Sequence, residues 1–155
     1  MSATFTATET EAMERAIAAS RQARDKGDNP FGATLVSADG RILLTSPNTE
    51  KSTGDCTAHA ELVLVREATQ QLGADSLKGG AVFASGEPCA MCSGAMFWAG
   101  ITRVVYAATA QDIQHALGGP VLPASCAEVL TPAQPSVQVQ QGLLREDAVA
   151  ALNGQ

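Results

Sequence analysis

The stretch AVFASGEPCAMCSGAMFWA, residues 81–99, gives the clearest structural signal in this chain. Residues 81–85 are short and apolar, as in a buried strand, and residues 89–99 have the pattern of a helix with small side chains on one side. Pro88 suits the entry to that helix, because a residue there needs no backbone N–H. A strand that leads almost directly into a helix is typical of α/β proteins.

The sequence on either side of this stretch extends the α/β interpretation. Helices are predicted at residues 11–26, 59–72 and 143–152, with a further helical stretch from residue 111, and strands at residues 31–37, 41–45, 103–108 and 137–140. The first two strands are close enough to form a hairpin, and the later strands alternate with helices. We therefore expect a mixed sheet with helices on both faces, in a single domain that spans residues 1–155.

The composition limits the classes of function. The 155 residues are 45% hydrophobic and 17% charged, which suits one globular domain. No apolar run approaches the roughly 20 residues of a membrane span, and the first residues lack a secretion signal, so we expect a cytoplasmic protein. The net charge is −6 and most basic residues stand singly, which argues against nucleic acid as a partner and favours a small-molecule substrate.

A histidine and two cysteines form the predicted functional site. Cys89 and Cys92 are three residues apart, so they share one face of their helix. His59 opens the preceding predicted helix, so two helix N-termini can point at one place. One imidazole and two thiolates suit tetrahedral Zn²⁺ with a fourth position for water, whose pKa zinc lowers toward about 7. Glu61 then supplies a carboxylate beside the metal that can shuttle protons.

Other uses of the cysteines stay open from the residues alone. A disulfide between Cys89 and Cys92 is disfavoured in the reducing cytoplasm. Cys56 stands three residues before His59, so these two residues and the later cysteine pair would make a closed, purely structural zinc site. A redox Cys-x-x-Cys pair is a third interpretation, but it leaves His59 and Glu61 unexplained.

The chain resembles the cytidine deaminase-like superfamily, in the branch that holds bacterial guanine deaminases and tRNA adenosine deaminases. The matching segments are Asn29-Pro-Phe-Gly-Ala33, Asn48, Asp55-Cys-Thr-Ala-His-Ala-Glu61, Glu87-Pro-Cys-Ala-Met-Cys-Ser-Gly-Ala95 and Arg103-Val-Val-Tyr106. His-x-Glu combined with Pro-Cys-x-x-Cys is the zinc-deaminase signature. The resemblance implies a three-layer α/β/α sandwich with a mixed five-stranded sheet, one zinc per subunit, a homodimer, and hydrolytic release of an exocyclic amine as ammonia.

The resemblance also implies roles for individual residues. It makes His59, Cys89 and Cys92 the zinc ligands, and Glu61 the catalytic residue that carries protons. The residues considered for substrate binding are Asn48, Ala60, Glu87, Pro88, Phe31, Trp98 and Asp112. Ala60, Glu87 and Pro88 are expected to contact the base through their backbone, whereas Asp112 is considered as a substitute for a missing acid.

Two departures from the family pattern bear on the substrate. The segment after the strand at residues 103–108 lacks both the acidic Gly-Phe-Asp-Asp stretch of guanine deaminases and the Lys-Thr-Gly-Ala loop of the tRNA enzymes. We expect a zinc-dependent deaminase of a free nucleobase or nucleoside, with a guanine-like purine ahead of cytosine. Deamination of adenosine in tRNA is the competing enzymatic hypothesis, and a structural zinc module is the non-enzymatic one.

Overall fold

The structure, a computed structural model, describes residues 4–155. Its helices are α1 (Ala7–Asp25), α2 (Glu50–Thr53), α3 (Ala60–Leu72), α4 (Ala90–Ala99), α5 (Ala110–Leu117), α6 (Cys126–Leu130) and α7 (Arg145–Leu152). Its strands are β1 (Gly32–Val36), β2 (Ile42–Pro47), β3 (Ala81–Gly86), β4 (Arg103–Ala108) and β5 (Gln138–Gln141). A single 3-10 turn, Ala74–Ser76, lies between α3 and β3 in this described part of the chain.

One five-stranded sheet runs through the molecule in the order β2-β1-β3-β4-β5. β1 pairs antiparallel with both β2 and β3, whereas β3, β4 and β5 pair in parallel. The predicted hairpin is β1–β2, with Gly32 opposite Pro47 at one end and Val36 opposite Ile42 at the other. The prediction of a mixed five-stranded sheet is confirmed.

Helices cover both faces of this sheet, and alternate residues of the central strands supply the two cores. On one face Val82 and Val104 pack with α3, α4 and α6. On the other face Phe83 and Val105 pack with α1 and α7. The result is the expected three-layer α/β/α sandwich. β3 and β4 are buried on both faces, which explains why their sequences are continuous apolar runs.

The first helix begins earlier than predicted because of its N-terminal cap. Thr6 Oγ1 accepts a hydrogen bond from the backbone N–H of Glu9, and the Glu9 carboxylate accepts one from the backbone N–H of Thr6. This capping box starts α1 at Ala7 rather than at residue 11. α1 then lies very close to β1 at Gly32, where a Cβ atom would stand 2.1 Å from the carbonyl oxygen of Ala16.

Two short helices were missed by the sequence prediction. α2 has four residues and lies between the predicted strand at residues 41–45 and the predicted helix at residues 59–72, and α6 has five residues after α5. Neither is long enough to show the helical repeat of apolar residues on which such a prediction depends. β4 matches the predicted strand at residues 103–108, and β5, at the sheet edge, lies within one residue of the predicted strand at residues 137–140.

Within residues 4–155, no helix combines the length and the apolar character needed to cross a membrane. The cytoplasmic location and the single domain over residues 1–155 stay predictions.

Candidate active site

A cavity of about 660 Å³ opens beside the ends of β3 and β4. Residues 59–61 and 86–92, at the starts of α3 and α4, are called the floor; all of them except Ala90 and the buried Cys92 line the cavity. The part of the lining formed by residues 110–125, from α5 to the start of α6, is called the wall. Phe31 and Glu50 complete the lining. Ligands of open α/β sheets typically bind at the carboxyl ends of parallel strands, where this cavity lies.

His59 meets the two cysteines at the floor. Nδ1 of His59 lies 3.6 Å from Sγ of Cys89 and 3.5 Å from Sγ of Cys92, and the three potential ligand atoms all lie within 4.8 Å of one another. His59 and Cys89 are the N-cap residues of α3 and α4, so both helices begin at this group as the sequence predicted. The positive end of a helix dipole stabilises thiolates at such a position.

Cys56 does not belong to this group. It is exposed, and the only cluster of potential metal ligands in the described range, residues 4–155, consists of His59, Cys89 and Cys92. All four cysteines are free, so the pair in Cys-x-x-Cys is not a disulfide. The closed four-ligand site that the sequence left open is therefore not formed, and the three-ligand arrangement is.

Cys89 and Cys92 shift each other's pKa in opposite directions. The hydrogen bond from Cys92 lowers the pKa of Cys89 to about 4, with a smaller contribution from His59. The same hydrogen bond raises the pKa of Cys92, because deprotonation would remove its donor, and burial adds to that shift. The nitrogen of His59 and the two sulfurs are soft donors suited to a cation such as Zn²⁺.

Glu61 lies in the second position of α3 and lines the cavity at 5% exposure. Burial raises its pKa to about 7, against the opposing effects of a hydrogen bond with Cys92 and the charge of His59. A buried carboxyl group with this pKa exists in both protonation states near neutral pH. Such a group can accept and donate protons.

Glu50 is a cavity residue that the sequence analysis missed. It begins α2, and its Oε1 lies 3.2 Å from Nε2 of His59. The same oxygen accepts hydrogen bonds from Nδ2 of Asn48 at 2.9 Å and from Nδ2 of Asn29 at 3.2 Å. The sequence signal that could have identified Glu50 is an acidic residue two positions after Asn48 and nine positions before His59.

Four of the predicted substrate contacts do line the cavity: Phe31, Ala60, Glu87 and Pro88. The carboxylate of Glu87 also has a structural function. Its Oε1 accepts a hydrogen bond from the backbone N–H of Ala110 at 3.0 Å, and its Oε2 accepts one from the backbone N–H of Cys126 at 3.3 Å. Because Ala110 and Cys126 begin α5 and α6, Glu87 ties the wall to the floor.

Asn48 lies outside the cavity lining. It is 1% exposed, and both ends of its amide are bound to Glu50: Nδ2 donates to Oε1, and Oδ1 accepts from the backbone N–H at 2.9 Å. The structure thus places Asn48 behind Glu50. A direct contact between Asn48 and the substrate stays a prediction that this geometry does not support.

Trp98 and Asp112 also lie away from the cavity lining. Trp98 is 84% exposed on α4, with its ring edge-to-face against Phe97. Its role as a substrate contact and the homodimer implied by the family resemblance both stay predictions. Asp112 caps the start of α5 through Thr109 and forms a bidentate pair with Arg145 at 2.7 and 2.8 Å, so its contacts are structural.

The cavity combines apolar surface with acidic side chains. Its carboxylates are those of Glu50, Glu61 and Glu87, and no lysine or arginine is among the described residues that line it. Apolar side chains of its lining include Phe31, Met91, Ile113, Pro120, Val121 and Leu122. Phosphate groups are usually bound by arginine, lysine or clustered backbone N–H groups. The described lining therefore offers acceptor oxygens for N–H donors but no cationic side chain.

Comparison with known proteins points to one family. The model of the cytidine and deoxycytidylate deaminase zinc-binding region matches residues 6–108, which include His59, Glu61, Cys89 and Cys92. A tRNA-specific adenosine deaminase of Agrobacterium fabrum is 40% identical over 96 residues, which cover 62% of this chain and 62% of that protein. A probable cytosine deaminase of Schizosaccharomyces pombe is 31% identical over 146 residues, which cover 92% of this chain and 88% of that protein. A guanine deaminase of Bacillus subtilis is 42% identical over 87 residues, which cover 56% of this chain and 55% of that protein.

A solved structure shows the same fold. It is a mutant protein in complex with 8-azaguanine, at 25% sequence identity and a TM-score of 0.79, and the match covers 93% of this chain and 81% of that chain. The chain spans less than two thirds of several curated relatives that it matches, down to 18% of one of them.

Proposed function

This chain belongs to the cytidine and deoxycytidylate deaminase zinc-binding family, and we propose that it removes an exocyclic amino group from a free nucleobase or nucleoside by hydrolysis. One observation carries this proposal. Nδ1 of His59 and the sulfurs of Cys89 and Cys92 converge at the floor of a cavity that Glu61 also lines.

The three converging atoms suit zinc. A donor set of one nitrogen and two sulfurs is that of catalytic zinc sites, which take three ligands from the protein. The family model describes a zinc-binding region over these residues, so zinc as the cofactor is confirmed. We assign the ligand roles to His59, Cys89 and Cys92. Zinc bound there would act as a Lewis acid and lower the pKa of a water molecule in the cavity toward neutrality.

Glu61 is the proposed proton carrier of the reaction. It accepts a proton from the attacking water and passes it to the ring nitrogen next to the carbon that bears the amine. It then transfers the second proton of the water to the leaving amine. The water oxygen forms a bond to the ring carbon, the carbon–nitrogen bond breaks, and the products are a ring carbonyl and ammonia. The burial of Glu61 keeps these transfers away from bulk water.

A guanine-like purine is the proposed substrate. Such a base presents N–H donors from its ring and its amino group, and the carboxylates of the cavity are acceptors for them. The Bacillus subtilis relative is a guanine deaminase, and the solved structure with the same fold holds the guanine analogue 8-azaguanine. A free base also agrees with a lining whose described residues include no lysine or arginine.

Cytosine is the second candidate substrate. The observation in its favour is the relative from Schizosaccharomyces pombe, a probable cytosine deaminase that matches 92% of this chain. Deamination of adenosine in tRNA has support from the Agrobacterium relative. The net charge of −6 and the acidic cavity oppose it, since RNA binding normally depends on clustered cations.

The test is ammonia release by the zinc-loaded protein across guanine, cytosine, adenine, their nucleosides and a tRNA anticodon stem-loop. We expect the highest kcat/KM with guanine. Higher values with cytosine would support the second candidate, and turnover of the stem-loop that falls steeply with salt would support tRNA editing. Absence of ammonia from every substrate, with one zinc bound per chain, would contradict a deaminase.

A further inference from the structure

We propose that Glu50 is a positioning residue for the metal site, because it orients the imidazole of His59. The inference rests on the ligand role proposed for His59. The two ring nitrogens face different partners: Nδ1 faces the sulfurs of Cys89 and Cys92 at 3.6 and 3.5 Å, and Nε2 lies 3.2 Å from Oε1 of Glu50. The ring thus stands between a carboxylate and the pair of thiols.

This arrangement selects one tautomer of His59. A neutral imidazole carries one proton, and the nitrogen that binds a metal must present its lone pair. The negative charge of Glu50, 3.2 Å from Nε2, favours the tautomer whose proton is on that nitrogen. Nδ1 is then free of its proton on the side of the two sulfurs. A carboxylate at the second nitrogen also makes the first nitrogen a stronger donor to a metal.

Glu50 is itself held in place. Its Oε1 accepts hydrogen bonds from the side-chain amides of Asn48 and Asn29, and its backbone N–H donates to Oδ1 of Asn48. The helix that carries it is anchored by Asp28, which accepts hydrogen bonds from the backbone N–H and the hydroxyl of Ser52 at 2.8 and 2.9 Å. These contacts give buried Asn48 a role in orienting Glu50.

Glu50 also lines the cavity, so substrate binding is the competing role that the experiment must separate. If Glu50 only bound the substrate, its removal would raise KM and leave the affinity for zinc unchanged. If it positions His59, its removal weakens zinc binding even when no substrate is present. Zinc affinity therefore separates the two roles without any measurement of turnover.

The experiment measures zinc affinity at neutral pH by competition with a chromophoric chelator, for the wild type, Glu50→Ala and Glu50→Gln. We expect affinity to fall about 100-fold for Glu50→Ala and about tenfold for Glu50→Gln, which keeps an acceptor oxygen but loses the charge. Glu14→Ala, which removes an exposed carboxylate from α1, is the matched control and should leave affinity unchanged. Thermal unfolding of the zinc-free proteins is recorded in parallel.

The inference is overturned if both Glu50 variants bind zinc within about threefold of the wild type, well short of the loss expected for such partners. Unfolding of zinc-free Glu50→Gln would also overturn it, because Glu50 would then be needed for the fold itself. A wild-type protein that binds no zinc would refute the proposed function as well. Tight zinc binding by the wild type and by both variants would refute the Glu50 inference alone.

Discussion

The floor and the wall of the cavity are built in different ways. The floor is made by the starts of two helices that pack in the core, and Ala60, Glu61 and Cys92 are all buried there. The wall includes a segment without regular structure between α5 and α6, where Val121 and Leu122 are 65% and 62% exposed. Glu87, a floor residue, connects the two parts because its carboxylate binds the backbone at the starts of both wall helices.

This difference separates chemistry from selectivity. The side chains proposed to bind zinc and move protons are held by a core that also stabilises the fold, so their geometry tolerates little change. The exposed apolar side chains of the wall contribute little to the core and are free to vary. Changes at the floor should therefore abolish the reaction, whereas changes at the wall should alter which base enters.

The largest effect should follow the loss of a floor ligand. Cys92→Ala removes one of three ligand atoms, so we expect it to lose bound zinc and to lose ammonia release down to the background. Cys56→Ala is the matched control, because Cys56 is an exposed cysteine outside the group, and it should keep both. Metal analysis after gel filtration measures the first effect. Equal zinc loss in both variants would contradict the three-ligand site and support the structural site in which Cys56 is a fourth ligand.

The wall should produce a smaller effect on a different parameter. The double variant Val121→Ser, Leu122→Ser removes two apolar side chains that line the cavity. We expect KM for guanine to rise about fivefold, which corresponds to the loss of about 1 kcal/mol of binding free energy from apolar contacts. The value of kcat should stay within about twofold. Leu117→Ser is the control, since Leu117 is exposed in α5 but does not line the cavity. A large fall in kcat would show that the wall takes part in the chemistry.

The smallest effect concerns the attachment of the wall to α7. The Arg145 guanidinium beside Asp112 holds the pKa of that carboxyl group well below its usual range, with help from the cap at Thr109. A lowered folded-state pKa stabilises the protein above the unfolded value of about 4, and this contribution is lost as the pH falls below it. Asp112→Asn should therefore lower the free energy of unfolding by roughly 1 kcal/mol at pH 7.

That difference should shrink as the pH falls below about 4, because the Asp112 carboxyl group of the unfolded wild-type chain then takes up a proton that the folded protein does not bind. Urea unfolding at pH 7 and at pH 3 measures it, with Asp25→Asn as a control in α1. A difference that is the same at both pH values would show that the charge of Asp112 is not what connects α5 and α7.

The sequence predicted the floor well because its signals are local. His59, Glu61, Cys89 and Cys92 lie in two short motifs, each at a transition from loop to helix. Helix starts place such residues without help from distant contacts, so their meeting point followed from the α/β pattern. The sheet was predictable for a similar reason, because its strands are short apolar segments separated by helices or turns.

The wall and Glu50 could not be predicted in the same way. α2 and α6 are too short for a periodic pattern, and the start of α6 is held by Glu87, which lies 39 residues earlier. The contact between Glu50 and His59 depends on tertiary contacts that hold α2, such as the hydrogen bonds between Asp28 and Ser52. Asn48 was expected to reach the substrate, but its amide is bound to Glu50.

The most direct test of the account is a single preparation of Glu61→Gln, analysed for zinc and for ammonia release beside the wild type. The proposed proton transfers predict that the variant keeps one zinc per chain and its fold, and that kcat falls by about 10³-fold, within the range for loss of a general acid–base group. A zinc-loaded variant whose kcat stays within about tenfold of the wild type would contradict the assignment of Glu61 and the reaction proposed for this site.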